Sequence, residues 1–146
     1  MLRKILLVVL LSPCVLISQS KNPAPKLCTL TVQVEGVNSQ GGNIGVLLFN
    51  STKGWPEDIH AAFKDVVVPA HGGVVTVRIE KIPTGIYAVA VGHDVNMNHK
   101  VDKNFLGIPK EQWGMSNNPR ALVKPPSFTT AQFDLKGDAE IRIRLQ

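Results

Sequence analysis

Residues 93–102 read His-Asp-Val-Asn-Met-Asn-His-Lys-Val-Asp, which places oxygen-bearing side chains at positions 1, 3, 5 and 9 of a loop beginning at Asp94. That spacing suits a hard cation such as calcium, which takes six to eight oxygens from a chain that coils around it and contributes alternate side chains. The expected ligands are Asp94, Asn96, Asn98, the main-chain carbonyl of Lys100 at position 7, and Asp102, with Glu111 folding back to supply a further carboxylate. Two positions depart from the usual loop. His99 stands where a sharp turn normally takes Gly, and Phe105 stands where a bidentate Glu normally closes the site. With Lys100 and Lys103 opposing the charge, the expected affinity is that of weak extracellular sites, on the order of 0.1–1 mM. The same residues also make a metal-free turn, in which Asp and Asn side chains accept from nearby backbone N–H groups. Both readings stay open on the sequence.

Other chemistry is less well supported. His93 and His99 lack a third soft ligand at a recognisable spacing for zinc or copper. A hydrolase would need His93 as base, Asp94 or Glu111 beside it, and Ser116 as nucleophile. Adjacent strand residues point to opposite faces, however, and no Gly-x-Ser-x-Gly elbow is present. A carrier of a small apolar ligand would use Trp55, Trp113, Met97 and Met115, residues that equally well close a core. The leading expectation is a non-enzymatic module with no catalytic residues, which binds a ligand or an envelope or extracellular partner through the 93–127 loop. His93, His99, Trp113, Ser116 and Asn117 are its candidate contacts.

A loop of this kind needs a rigid support, and the flanking sequence supplies strands. Leu30, Val32 and Val34 alternate with polar neighbours, and Ile44, Val46 and Leu48 do so within residues 43–50. The Ser-Gln-Gly-Gly turn between them predicts a hairpin. Residues 54–63, with Pro56 early and Glu57 and Asp58 in a first turn, predict a short helix. Residues 66–68 and 74–79 read as strands around a Pro-Ala-His-Gly-Gly turn, and residues 86–91 are apolar on both faces, as in the centre of a sheet. Strands near 131–135 and 139–145 complete seven, with Arg142 and Arg144 facing solvent. The expected fold is all-β: an antiparallel two-sheet sandwich of immunoglobulin or prealbumin type, with one short helix and a long ordered loop. Phe105, Leu106, Ile108, Trp113 and Met115 in that loop are expected to pack on the sandwich, because leaving them in water is costly.

The chain has 146 residues, enough for one domain, and at 44% apolar and 18% charged residues it is not a disordered polymer. Arg3 and Lys4 precede an apolar stretch at 5–17, and Ser18 and Ser20 offer small residues at a cleavage site. Residues 1–20 are therefore expected to be a signal peptide and 21–26 a Pro-containing lead-in, with residues 27–146 forming the sandwich. The apolar stretch is short and holds Pro13, so no stable membrane span is expected after cleavage. Localisation is then periplasmic or secreted. Lipid attachment at Cys14 is disfavoured by Pro13 immediately before it. Removing Arg3 and Lys4 lowers the net charge from +5 to +3, and the remaining basic residues are dispersed, so nucleic acid is not an expected partner. Cys28 is then the lone thiol, expected to be buried, and nothing in the sequence signals an oligomeric state.

Several of these residues fall into a longer pattern. Pro83, Gly85, Tyr87 and Ala88 form a strand entry, followed by His93, Asp94, Asn96, Asn98 and Asp102, then Gly107, Pro109, Glu111, Gly114 and Ser116, and finally Pro126, Ser127 and Phe128. In this the chain resembles a bacterial family called domain of unknown function 2141, over nearly all of the region beyond the signal segment. His99 departs from the family's usual Gly. The resemblance implies an exported β-sandwich with a characteristic loop, and no reaction.

Overall fold

The strands are built from residues that alternate between a buried and an open face. In β1 (Leu27–Val37), Cys28, Leu30, Val32 and Val34 are buried while their neighbours are open. In β2 (Asn43–Phe49), Ile44, Val46 and Leu48 are buried in the same manner. The computed structural model describes residues 25–120 and 124–146, so the expected signal segment and most of the lead-in lie outside the described residues. The order continues through β3 (Lys64–Pro69), β4 (Gly73–Pro83), β5 (Gly85–Asp94), β6 (Trp113–Met115), α1 (Phe128–Ala131), β7 (Phe133–Leu135) and β8 (Ala139–Arg144).

These strands form two sheets. One has the order β4-β1-β8, and the other β3-β2-β5-β6, with β7 paired to the first residues of β5. The arrangement is the expected all-β sandwich, antiparallel apart from β1 and β8, which run parallel from Leu30↔Ala139 to Glu35↔Arg144. Between the sheets, Leu30, Val32, Ile44, Val46, Val77, Ile79, Val89, Val91 and Ile143 form the main core. Each such side chain contributes about 1.5–3 kcal/mol relative to exposure. β5 is central, as its doubly apolar sequence requires, pairing with β2, β6 and β7. Cys28 is buried and, among the described residues, carries no disulfide, and Arg142 and Arg144 face solvent as expected.

The outer face of the second sheet carries a further layer. Phe49 and Ala88 pack there with Met115, Phe128 and Ala131, and Trp55 and Trp113 lie against this cluster. Trp55 meets Phe49 and Phe128 edge-on, at ring distances of 5.3 and 5.8 Å, and its Nε1 donates to the Pro126 carbonyl at 2.8 Å. The polypeptide beyond β5 is thereby fastened over that sheet.

Four expectations need correction. β1 and β2 are not a hairpin: they lie in opposite sheets, β1 paired with β4 and β8 and β2 with β3 and β5. Alternation fixes which face is buried but not which strand is the neighbour. Residues 54–63 form successive turns rather than a helix, with Asp58 N donating to the Gly54 carbonyl and Ala61 and Ala62 N donating to that of Asp58. The Asp58 carboxylate also takes the His60 N–H at 3.0 Å, the local competition by which Asp interrupts helices. Among the described residues the one helix is α1, where Ser127 Oγ accepts from Thr130 N, ahead of a strand that starts only at Phe133. Lastly, Trp113 and Met115 do pack, as an eighth strand, but Phe105, Leu106 and Ile108 are exposed.

Candidate functional site

Asp94 ends β5 opposite Asn43, on the outer face of the sheet, and from there the chain coils tightly. Met97 and His99 both adopt left-handed backbone, with φ of 59° and 66°. This costs a residue with a Cβ roughly 1–2 kcal/mol. The Asp94 carboxylate offsets it by accepting from Asn98 N at 3.0 Å and from His99 N at 2.7 Å. Asn96 Oδ1 and Asn98 Oδ1 accept from Asn98 N and Lys100 N, so each Asn caps the backbone two residues on. Their amide groups converge on Asp102, donating to its two oxygens at 2.8 and 2.9 Å. Chiefly the Asn98 bond, helped by that from Asn96 and by the charges of Lys100 and Lys110, holds the Asp102 carboxyl below the usual aspartate range against an opposing desolvation.

Glu111 closes the loop from the other side. Its two oxygens accept from Val95 N and Asp102 N, both at 2.9 Å. Asp94, Asn96, Asn98, Asp102 and Glu111, predicted as one group, are thus brought into one network. Lys100 takes part through its N–H. Among the described residues no three His, Cys, Asp or Glu side chains group closely enough to hold a metal ion by themselves. A cation here would draw on the oxygens of Asn96 and Asn98 as well as the carboxylates.

The other candidates separate. His93 is wholly buried and points to the side of β5 away from Asp94. Its Nε2 lies 2.8 Å from the Gly41 carbonyl, an acceptor only, so Nε2 donates there, and among the described residues Nδ1 has no partner. Ser116 Oγ is committed to main chain: it donates to the Ala131 carbonyl at 2.6 Å and accepts from Val89 N at 2.9 Å. His93 and Ser116 share no hydrogen bond. Asn117 donates to the carbonyls of Thr130 and Gln132, tying the end of the loop to α1. Its neighbour Asn118, which the sequence did not mark, bridges to β8 through the Arg142 carbonyl and Arg144 N.

The feature missed by sequence reading is a groove of about 710 Å³ beneath the loop. Gly45, Leu47, Ala90 and Gly92, on the open face of β2 and β5, form its floor. Pro56, Ile59, Val67, Val101, Ile108, Trp113 and Met115 add apolar wall, and Lys100, Lys103 and Lys124 stand among the polar lining residues. Of the four residues proposed for a carrier, Trp113 and Met115 line it, whereas Trp55 and Met97 are not in its wall. The volume falls within the range of small-molecule sites. A signal for it did exist: Gly45 and Gly92 face each other across adjacent strands, and glycine within a strand marks close approach of a ligand or another segment. At Gly92 the approach is Val101 of the loop, whose Cγ2 lies 2.6 Å from where a Cβ would sit.

A family model described as "Uncharacterized protein conserved in bacteria (DUF2141)" matches residues 32–143. No curated protein and no solved structure matches the chain. The match spans the strands, the oxygen-rich loop and the groove, and the chain belongs to that family.

Proposed function

We propose that this member of an uncharacterised bacterial family is an exported, non-enzymatic module that binds a small amphipathic ligand in the groove beneath the 93–127 loop. The groove itself supports the reading most directly: about 710 Å³ of space, with a floor of small residues and a largely apolar wall. The lining implies a flat apolar body against Gly45, Ala90 and Gly92, with a polar end among charges of both signs: Lys100 and Lys124, neither of which forms an ion pair among the described residues, and Glu57, Asp94, Asp102 and Glu111. Export rests on the N-terminal pattern of charge, apolar stretch and small residues, and implies a mature chain that starts at Lys21. N-terminal sequencing of the protein recovered from its producing cell tests that part.

Anilinonaphthalene sulfonate, an aromatic anion, is a suitable first probe for the groove. A Cβ at Gly45 has only the Gly92 carbonyl oxygen nearby, at 4.0 Å, so Gly45→Leu projects into the groove without striking the backbone. Saturable dye binding by the parent chain, lost in Gly45→Leu at unchanged melting temperature, supports the reading. Equal binding by both proteins removes it.

Calcium binding by the 94–102 loop is a second reading, favoured by one observation. Left-handed Met97 and His99, with the Asp94 carboxylate holding the N–H groups of Asn98 and His99, wrap the chain so that Asp94, Asn96, Asn98 and Asp102 sit around one turn. Turning the two Asn amides would present oxygen in place of N–H beside Asp102. A rise in melting temperature at millimolar calcium, reversed by EDTA, supports this, and an unchanged melting temperature refutes it.

A further inference from the structure

The apex of the long loop is apolar, exposed and rigidly built. Phe105 and Leu106 are 95% and 67% exposed. The turn that carries them is not loose: Asn104 Oδ1 accepts from Leu106 N and Ile108 N, Asn104 N donates to the Ile108 carbonyl, and Gly107 N donates to that of Asn104. Gly107 has a φ of 78°, which glycine adopts freely, and Lys103 and Pro109 pair at the base. Four hydrogen bonds therefore hold two large apolar side chains in water, although the groove beneath offers apolar surface that a different turn could cover. Lys100, Lys103 and Lys110 surround this apex in the sequence together with Asp102 and Glu111, whose carboxylate oxygens are taken up by Asn amides and backbone N–H groups. Lys103 is paired with Glu57, and neither Lys100 nor Lys110 forms an ion pair among the described residues.

We propose that the Phe105–Leu106 apex inserts into the interfacial layer of an anionic lipid bilayer, with Lys100 and Lys110 against the headgroups. The area favours lipid over protein. Two such side chains offer on the order of 300 Å², well short of the roughly 800 Å² per partner of a stable protein interface. Shallow insertion into a bilayer needs no complementary shape, and flanking lysines supply the attraction to anionic headgroups. The inference shares Lys100 with the groove but rests on the exposed apex and not on a groove ligand.

The test uses full-length Phe105→Trp and Leu106→Trp variants with vesicles of phosphatidylcholine alone or mixed equally with phosphatidylglycerol, their acyl chains brominated to quench tryptophan on contact. The expected result is quenching of the new tryptophan in the anionic vesicles beyond that of Trp55 and Trp113 in the parent chain, and little quenching in the neutral ones. Adding Lys100→Glu and Lys110→Glu should weaken partitioning at least about 25-fold, a factor of about five for each lysine charge removed. Vesicle association with no quenching at 105 or 106 would mean that another part of the chain tethers it, or that the apex seats on a protein, and overturns the proposal. Equal quenching in neutral vesicles, or indifference to the charge reversals, does the same.

Discussion

Ser116→Ala separates a structural serine from a catalytic one. Val89 lies between the stretch of β5 that pairs with β7, at 85–87, and the stretch that pairs with β6, at 90–92. Its carbonyl is reached by Ser116 N at 3.0 Å, and its N–H finds Ser116 Oγ at 2.9 Å. The hydroxyl hydrogen goes on to the Ala131 carbonyl at 2.6 Å. Ser116, Val89 and Ala131 are almost fully buried, so water cannot replace the lost oxygen. The substitution leaves one N–H and one carbonyl without these partners, at about 1–3 kcal/mol each, so the loss should be about 2–6 kcal/mol. With an unfolding entropy near 2.1 cal/mol/K per residue over about 120 residues, the melting temperature should fall by about 8–24 °C. Urea and thermal unfolding followed by circular dichroism measure both quantities. A loss below about 1 kcal/mol would refute the assignment, since a nucleophile can usually be removed with little loss of stability, whereas this hydroxyl bridges two chain segments.

Three further outcomes follow from the loop. Glu111→Gln replaces one acceptor oxygen facing Val95 N or Asp102 N with a donor, and should speed hydrogen exchange at these amides by about 10- to 100-fold; unchanged exchange would show that Glu111 is not the latch. Gly92→Val places a Cβ 2.6 Å from Val101 Cγ2, a side-chain methyl, so Val101 must leave its seat on the sheet, which should expose the 99–103 segment to limited proteolysis, while the parent chain resists. The depressed Asp102 carboxyl makes the loop acid-sensitive. Its contribution is fully present above the ordinary aspartate value of 3.8 and is lost as pH falls through the lower folded value. The NMR shifts of the Asn96 and Asn98 side-chain amide protons should titrate in that acid window and be constant just above it. A titration of these shifts near neutral pH instead would contradict the Asp102 bonds.

The sequence by itself determined the buried faces. Leu30, Val32 and Val34 in β1, Ile44, Val46 and Leu48 in β2, and Ile143 and Leu145 near the C-terminus are all buried, because a period of two allows only one face to leave water. It also determined the oxygen-rich loop, because Asp and Asn capping operates between residues two to five apart. Local rules misread residues 54–63, where Asp58 captures a nearby N–H, and misread the Ser-Gln-Gly-Gly turn as joining β1 and β2 in a hairpin. Only the tertiary structure decided that β1 and β2 belong to different sheets, since pairing depends on which distant chain covers each apolar face. It decided the groove for the same reason: Gly45 and Gly92 become a floor only when β2 lies beside β5 and the loop crosses above them. It also left Phe105 and Leu106 in water, where hydrophobicity alone predicted burial, because the hydrogen bonds of Asn104 fix the turn that points them outward.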